Sequence, residues 1–177
     1  METAGDTMWE FTGTQRPDFA VAPQQGQESV WDYPRPPALM PSKEQIDVRF
    51  NSLILANSCR TLRVLETAHP PTYYIPESDV NWSALAAISK SSFCEWKGTA
   101  NYFSLQVHEA LGAIAWQYRD PVKSFAQLDG HVSFYPSLVN CTVDGEQVRP
   151  QPGIFYGGWI TERVVGPFKG EPGTSHW

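Results

Sequence analysis

From Ile46 onward the chain sets apolar residues against polar ones in short runs broken by turn residues, the pattern of half-buried strands. Ile46-Asp-Val-Arg-Phe50 and Leu53-Ile-Leu-Ala56 flank a tight Asn51-Ser52 connection and predict a hairpin. Leu62–Glu66 and Thr72–Ile75 predict two further strands on either side of His69-Pro70-Pro71, where two prolines forbid helix and force a corner. Val80–Ile88 has the Ala and Leu content of one short helix, after which Ser89–Gly98 returns to extended structure. Ala100–Val107 and Ile114–Tyr118 alternate as strands facing a common core. Pro121–Leu128, opened by proline and closed by Asp129-Gly130, predicts a second short helix. His131–Tyr135 and a hairpin of Cys141–Val143 with Gln147-Val148 through Asp144-Gly145 complete a mainly β pattern.

This alternation fades toward both ends. Residues 1–42 hold Gln-Gln-Gly-Gln, Pro34, Pro36, Pro37 and Pro41, which predicts an extended arm without regular structure. Trp9, Phe11, Phe19, Trp31 and Tyr33 are too many aromatics for a free tail, so the arm should pack on the body with its rings as anchors. Residues 150–177, rich in Gly and Pro and carrying Phe155, Tyr156, Trp159, Phe168 and Trp177, should do the same. The reading is a core at 43–149 between two packed extensions. A length of 177 residues, 41% of them hydrophobic, suits a single core.

Charge and cysteines narrow the possible partners. The formal net charge is −6 and no stretch gathers Lys and Arg into the basic stripe that a phosphate backbone requires, so nucleic acid is not an expected partner. No apolar run approaches the roughly 18 residues of a membrane helix, and Met1–Phe11 carries acids where a signal would carry a basic and then an apolar stretch. A soluble, cytoplasmic protein with no membrane association is expected. Cys59, Cys94 and Cys141 are too widely spaced for a disulfide framework or a zinc knuckle, and reduced, mostly buried thiols are expected, with no metal and no cofactor.

Taken in order, Leu62-Arg-Val-Leu-Glu-Thr67, Pro70-Pro-Thr-Tyr-Tyr-Ile-Pro76, Cys94-Glu-Trp-Lys-Gly-Thr-Ala-Asn-Tyr102, Ala115-Trp-Gln-Tyr118, Phe134-Tyr-Pro136 and Val143-Asp-Gly145 resemble the family catalogued as domain of unknown function 427, over roughly residues 46–148. Ser29-Val-Trp-Asp-Tyr-Pro34 and the stretch 153–177 resemble a longer subgroup associated with cyanobacteria. The resemblance implies a compact β-tent-like arrangement of two antiparallel sheets with one or two short helices. Some relatives of that architecture bind zinc through paired cysteines, which this chain lacks. The family is also sometimes labelled nucleotidyltransferase. That chemistry requires two close carboxylates for Mg²⁺ and a phosphate-cradling loop. Glu77 and Asp79 are the closest acidic pair, but they sit in a Pro-led turn that favours acids in any case, and no Gly-rich phosphate loop accompanies them.

The remaining candidates lie on the strands. Glu66 ends an apolar strand before the proline corner and is expected to turn inward toward Arg63, Lys97 or a tyrosine hydroxyl, as a structural carboxylate or a general base. Lys97, between Trp96 and Gly98, is expected either to close a salt bridge with Glu66 or to present its charge to an anionic ligand. Cys94 reads as a small core residue or as a thiol activated by Lys97, with His69, His108 or His131 as possible bases. Tyr73, Tyr74, Tyr102, Trp116, Tyr118, Phe134 and Tyr135 fall on predicted strands, more hydroxyl-bearing rings than a core needs.

Together these point to a small-molecule binding or sensing module, with Tyr74, Trp116, Tyr118 and Tyr135 lining a cleft and Glu66 and Lys97 as polar anchors. A cofactor-free hydrolase or isomerase with Glu66 as base and Lys97 stabilising negative charge is the alternative enzyme reading. A third reading is an interaction protein, with the N- and C-terminal arms holding a partner or a second copy of the chain as a homodimer.

Overall fold

The alternation is realised in the computed structural model as a mainly β architecture, with residues 9–177 described. Most of the stretch read for a targeting signal, residues 1–8, lies outside them. A seven-stranded antiparallel sheet runs in the order β2 (Ala38–Ser42), β5 (Thr61–Leu65), β6 (Thr72–Pro76), β10 (His131–Phe134), β9 (Ala115–Gln117), β8 (Gly98–Leu105) and β7 (Leu85–Cys94). A four-stranded antiparallel sheet holds β12 (Glu146–Gln147), β11 (Asn140–Val143), β3 (Ile46–Phe50) and β4 (Leu53–Ser58). Two short pairs stitch the extensions together: β1 (Glu28–Ser29) runs parallel to β15 (Val164–Val165), and β13 (Arg149–Pro150) pairs with β14 (Trp159–Ile160).

Both predicted hairpins form around left-handed turn residues. Asn51 sits at φ 52° between β3 and β4, and Asp144 and Gly145 sit at φ 48° and 82° between β11 and β12, the geometry that matches the twist of paired strands.

Three expectations are corrected. Val80–Ile88 forms no α-helix: 3₁₀ turns at Glu77–Asp79 and Trp82–Ala84 lead directly into β7, where Ala86, Ala87 and Ile88 pair with Ser104, Phe103 and Tyr102. Helix propensity differences of well under 1 kcal/mol per residue yield there to an eight-residue partner strand. Within residues 1–42, regular structure does form, as β1, a 3₁₀ turn at Val30–Asp32 and β2. Pro41 is compatible with β2 because that strand is the sheet edge. Of the three thiols only Cys141 is fully buried, and Cys59 is exposed. The second predicted helix, Pro121–Leu128, is present as a 3₁₀ segment at Lys123–Leu128 with a kink at Phe125.

Register assigns the two faces of the seven-stranded sheet. Cross-strand partners share a face, so the Val132–Ile75, Phe134–Ala115 and Phe103–Ala115 pairs belong to one side. There they join Leu105 of β8 and Ile46, Val48 and Leu55 of the four-stranded sheet in the main apolar cluster. The Leu62–Tyr74 and Tyr102–Trp116 pairs belong to the opposite side, where they cluster with Val64, Ala100, Tyr118 and Phe125. A third cluster joins Val30, Trp31 and Tyr33 of the amino-terminal extension to Ile160 and Val164 of the carboxy-terminal one. Rings seal it: Trp31 packs edge-on against Phe11, Phe19 and Trp177, and its indole N–H donates to Pro167 O at 3.0 Å.

Candidate functional site

The tyrosine-rich face of the large sheet is not closed by a second sheet, and a cavity of about 450 Å³ lies over it. Glu66, Tyr74, Lys97, Trp116, Tyr118 and Tyr135, the residues singled out from the sequence, all line this cavity. Period-2 alternation brings Tyr74 of β6 and Trp116 of β9 to the same side. The Trp116 indole N–H donates to the Tyr74 hydroxyl at 3.2 Å, and its ring centroid lies 4.4 Å from that of Tyr135. Tyr102 and Ser92 share a 2.7 Å hydroxyl contact on the same wall. Burial pushes the hydroxyls of Tyr74, Tyr118 and Tyr135 well above the ordinary tyrosine range, so all three are protonated donors at neutral pH.

The opposite wall is charged, and its partners differ from those expected. Glu66 forms no ion pair with Lys97 or Arg63. Its Oε1 lies 3.3 Å from Nε of Arg35 and 4.0 Å from Nε2 of His69. Arg63, which shares the other face of the sheet with Tyr73, pairs with Glu28 at 2.6 Å. Arg35 arrives from the amino-terminal extension with a side chain only 1% exposed. Its guanidinium donates to Thr67 O at 2.8 Å and to Phe11 O at 3.3 Å and lies 4.3 Å from the Trp9 ring centre. Burial draws its pKa down, against the opposing pull of Glu66.

Two ammonium groups share this wall. Lys97, 8% exposed, holds its Nζ 5.8 and 5.9 Å from the ring centres of Tyr118 and Phe125 and makes no ion pair or side-chain hydrogen bond among the described residues. Lys169, from the carboxy-terminal extension, donates to Trp177 O at 2.5 Å and lies 5.1 Å from the Trp9 ring centre. Its pKa is lowered, first by burial and then by the neighbouring Arg35 charge.

Gln151 ties the charged wall together. Its Oε1 accepts from Gly158 N–H at 3.1 Å, which orients its amide so that Nε2 donates to Lys169 O at 2.8 Å and to His69 Nδ1 at 2.9 Å. His69 Nδ1 is therefore an acceptor, and its proton sits on Nε2, the nitrogen facing Glu66. Burial, followed by the charges of Lys169, Arg35 and Lys97, drives the His69 pKa down to about 3, so the ring is neutral.

Residues that strand reasoning did not find include Trp9, Arg35, Gln151, Tyr156 and Lys169, all in stretches without periodicity. Gly157-Gly158 carried the one usable signal, a glycine pair set among aromatics. A Cβ on Gly157 would come within 2.3 Å of Trp116 Cη2, so the indole lies directly on backbone there. Other candidates go elsewhere. Asp79 is held by Arg60 at 2.7 Å and Ser58 at 2.6 Å, and Glu77 accepts from Gln117 at 3.1 Å, so both carboxylates have structural partners. Cys94 and His69 line the cavity, whereas His108 packs edge-on to Phe50 and His131 contacts Asp129 O.

The chain belongs to the family described as a domain of unknown function (DUF427), which it matches over residues 38–147, more than half of its length. Among curated proteins none matches it. The matched stretch supplies Glu66, Tyr74, Lys97, Trp116, Tyr118 and Tyr135, while Trp9, Arg35, Gln151, Tyr156 and Lys169 lie outside it. The cavity is thus composite, with family strands forming the aromatic wall and the charged wall shared between the matched stretch, through Glu66 and Lys97, and the extensions, through Arg35 and Lys169.

Proposed function

We propose that this protein is a small-molecule binding or sensing module of the cytoplasm, taking a flat or apolar ligand against Tyr74, Trp116, Tyr118 and Tyr135. The observation that carries this reading is the cavity itself: about 450 Å³ of space lined by rings with a few charged groups, within the range typical of ligand pockets. The Trp116 indole N–H is satisfied by Tyr74 and the Tyr102 hydroxyl by Ser92, so these polar ends are paired within the wall and the rings remain as its apolar surface. Glu66, fixed against Arg35, serves this reading as an anchor and is poorly placed to act as a free general base. Trp31 and Trp159, two of the largest rings of the extensions, are fully buried in their own body, which favours a ligand over a second copy of the chain.

A thermal-shift screen across nucleotides, pigments and aromatic metabolites tests the proposal. At least one class should raise the melting temperature of the wild type by a few degrees and leave Trp116→Leu unmoved. A wild type unresponsive to every class, or a Trp116→Leu variant shifted equally, would sink it.

A further inference from the structure

The charged wall specifies the ligand more closely, provided the cavity is a binding site as proposed above. Two cations line this wall, Lys97 and Lys169, and a third, Arg35, stands behind Glu66. Glu66 answers Arg35 at 3.3 Å. Glu95 lines the cavity too, but it is exposed and forms no ion pair among the described residues. His69 adds no charge, because its Nδ1 accepts the Gln151 amide proton. What remains is two buried ammonium groups, and the two are not equivalent. Lys169 already donates to Trp177 O. Lys97 has only the faces of Tyr118 and Phe125, each nearly 6 Å away, and its Nζ is left facing the cavity without a protein acceptor among the described residues.

A chain of net charge −6 nonetheless sets two ammonium groups, Lys97 and Lys169, on this cavity and backs Glu66 with the Arg35 guanidinium. A neutral ligand would leave Lys97 unanswered and a cationic one would be repelled. We infer that the cavity receives a small organic anion, with a carboxylate- or phosphate-type group directed at Lys97 and Lys169 and a planar body laid against Trp116 and the tyrosines. The protonated tyrosine hydroxyls add donors and no competing negative charge. Since Lys169 lies outside the matched family stretch, half of the anion site is contributed by the carboxy-terminal extension.

A matched pair of fluorescent probes separates this claim from the one on which it rests. 1-Anilinonaphthalene-8-sulfonate is an aromatic anion, and N-phenyl-1-naphthylamine has the same rings without the charge. The wild type should bind the anion at one site per chain, about tenfold more tightly than the neutral probe, as expected for one charge-assisted hydrogen bond. Lys97→Met should remove that preference and retain the neutral probe, and Lys97→Arg should keep most of it. Displacement by 1-naphthoate and by 1-naphthyl phosphate, but not by 1-naphthamide, distinguishes a carboxylate from a phosphate source. Equal affinity for the two probes, or anion binding unchanged in Lys97→Met, overturns the inference and leaves the cavity a neutral site. Saturable binding of neither probe removes the binding reading and the inference with it. If Lys97→Met does not fold, the wild-type salt dependence decides: added salt should weaken the anion alone, and parallel behaviour of the two probes counts against the inference.

Discussion

On one face of the seven-stranded sheet, Ile75, Phe103, Leu105, Ala115, Val132 and Phe134 are buried against residues of the four-stranded sheet. On the other, Tyr74, Tyr102, Trp116 and Tyr118 meet the extensions across a cavity. The residues of the two sets are sequence neighbours, as in Tyr102 and Phe103 or Ala115 and Trp116, separated only by the direction of a pleat. The partner layer decides what each face becomes. A sheet offers aliphatic side chains that interdigitate, and the face it covers is a core. The extensions offer Arg35, Gln151 and Lys169, which bond mainly to backbone carbonyls and, in the case of Arg35, pair with Glu66, and the face they cover keeps its opening.

Truncation should separate the faces most sharply. Phe134→Ala, on the filled face, is expected to cost about 3–5 kcal/mol in urea unfolding, whereas Tyr118→Phe, on the open face, should cost about 1 kcal/mol. Similar losses from both would break the comparison.

The next effect is a pH dependence confined to the open side. Folded His69 accepts a proton only near pH 3, against about 6.5 in an unfolded chain, so between these values the unfolded state binds more protons. His69 therefore contributes stability that is fully present above pH 6.5 and is lost as the pH falls toward 3. Urea midpoints for wild type and His69→Gln between pH 6 and 4.5 should diverge in slope by about 1.4 kcal/mol per pH unit, with the wild type the steeper. Parallel curves would mean that the charged wall is wet enough for His69 to titrate normally.

The smallest effect concerns the contact between the two walls. Gly157→Ala would place a methyl 2.3 Å from Trp116 Cη2 and force the indole or the loop to move, at a cost of roughly 1–3 kcal/mol. Tryptophan emission should shift with it, while an unchanged spectrum would show that the loop yields and the aromatic wall does not.

This contrast also explains what could be read in advance. The mainly β class and the shared side of Tyr74 and Trp116 follow from alternation, which needs only neighbouring residues. Val80–Ile88 resembled a helix because Ala is locally helix-favouring, and the strand that claims it, β8, is visible only in three dimensions. Arg35 lies between Pro34 and Pro36, and Lys169 and Gln151 lie in Gly- and Pro-rich stretches, where no period assigns a face. Their burial depends on distant contacts such as Trp31 with Pro167, and the pairing of Glu66 with Arg35 in place of Lys97 or Arg63 depends on them too.

The β1–β15 pair and the Trp31–Pro167 hydrogen bond, the latter spanning 136 residues of sequence, also bear on the order of assembly. Contacts of such long range close large loops and form late, after neighbouring strands have found each other. During synthesis the hairpins and the aliphatic core other than Trp159 can condense while the carboxy-terminal stretch is still emerging, so the clasp that brings Lys169 to the cavity wall closes last. A nascent chain would then pass through a folded but open-sided state, and anything the cavity holds could enter before that clasp shuts.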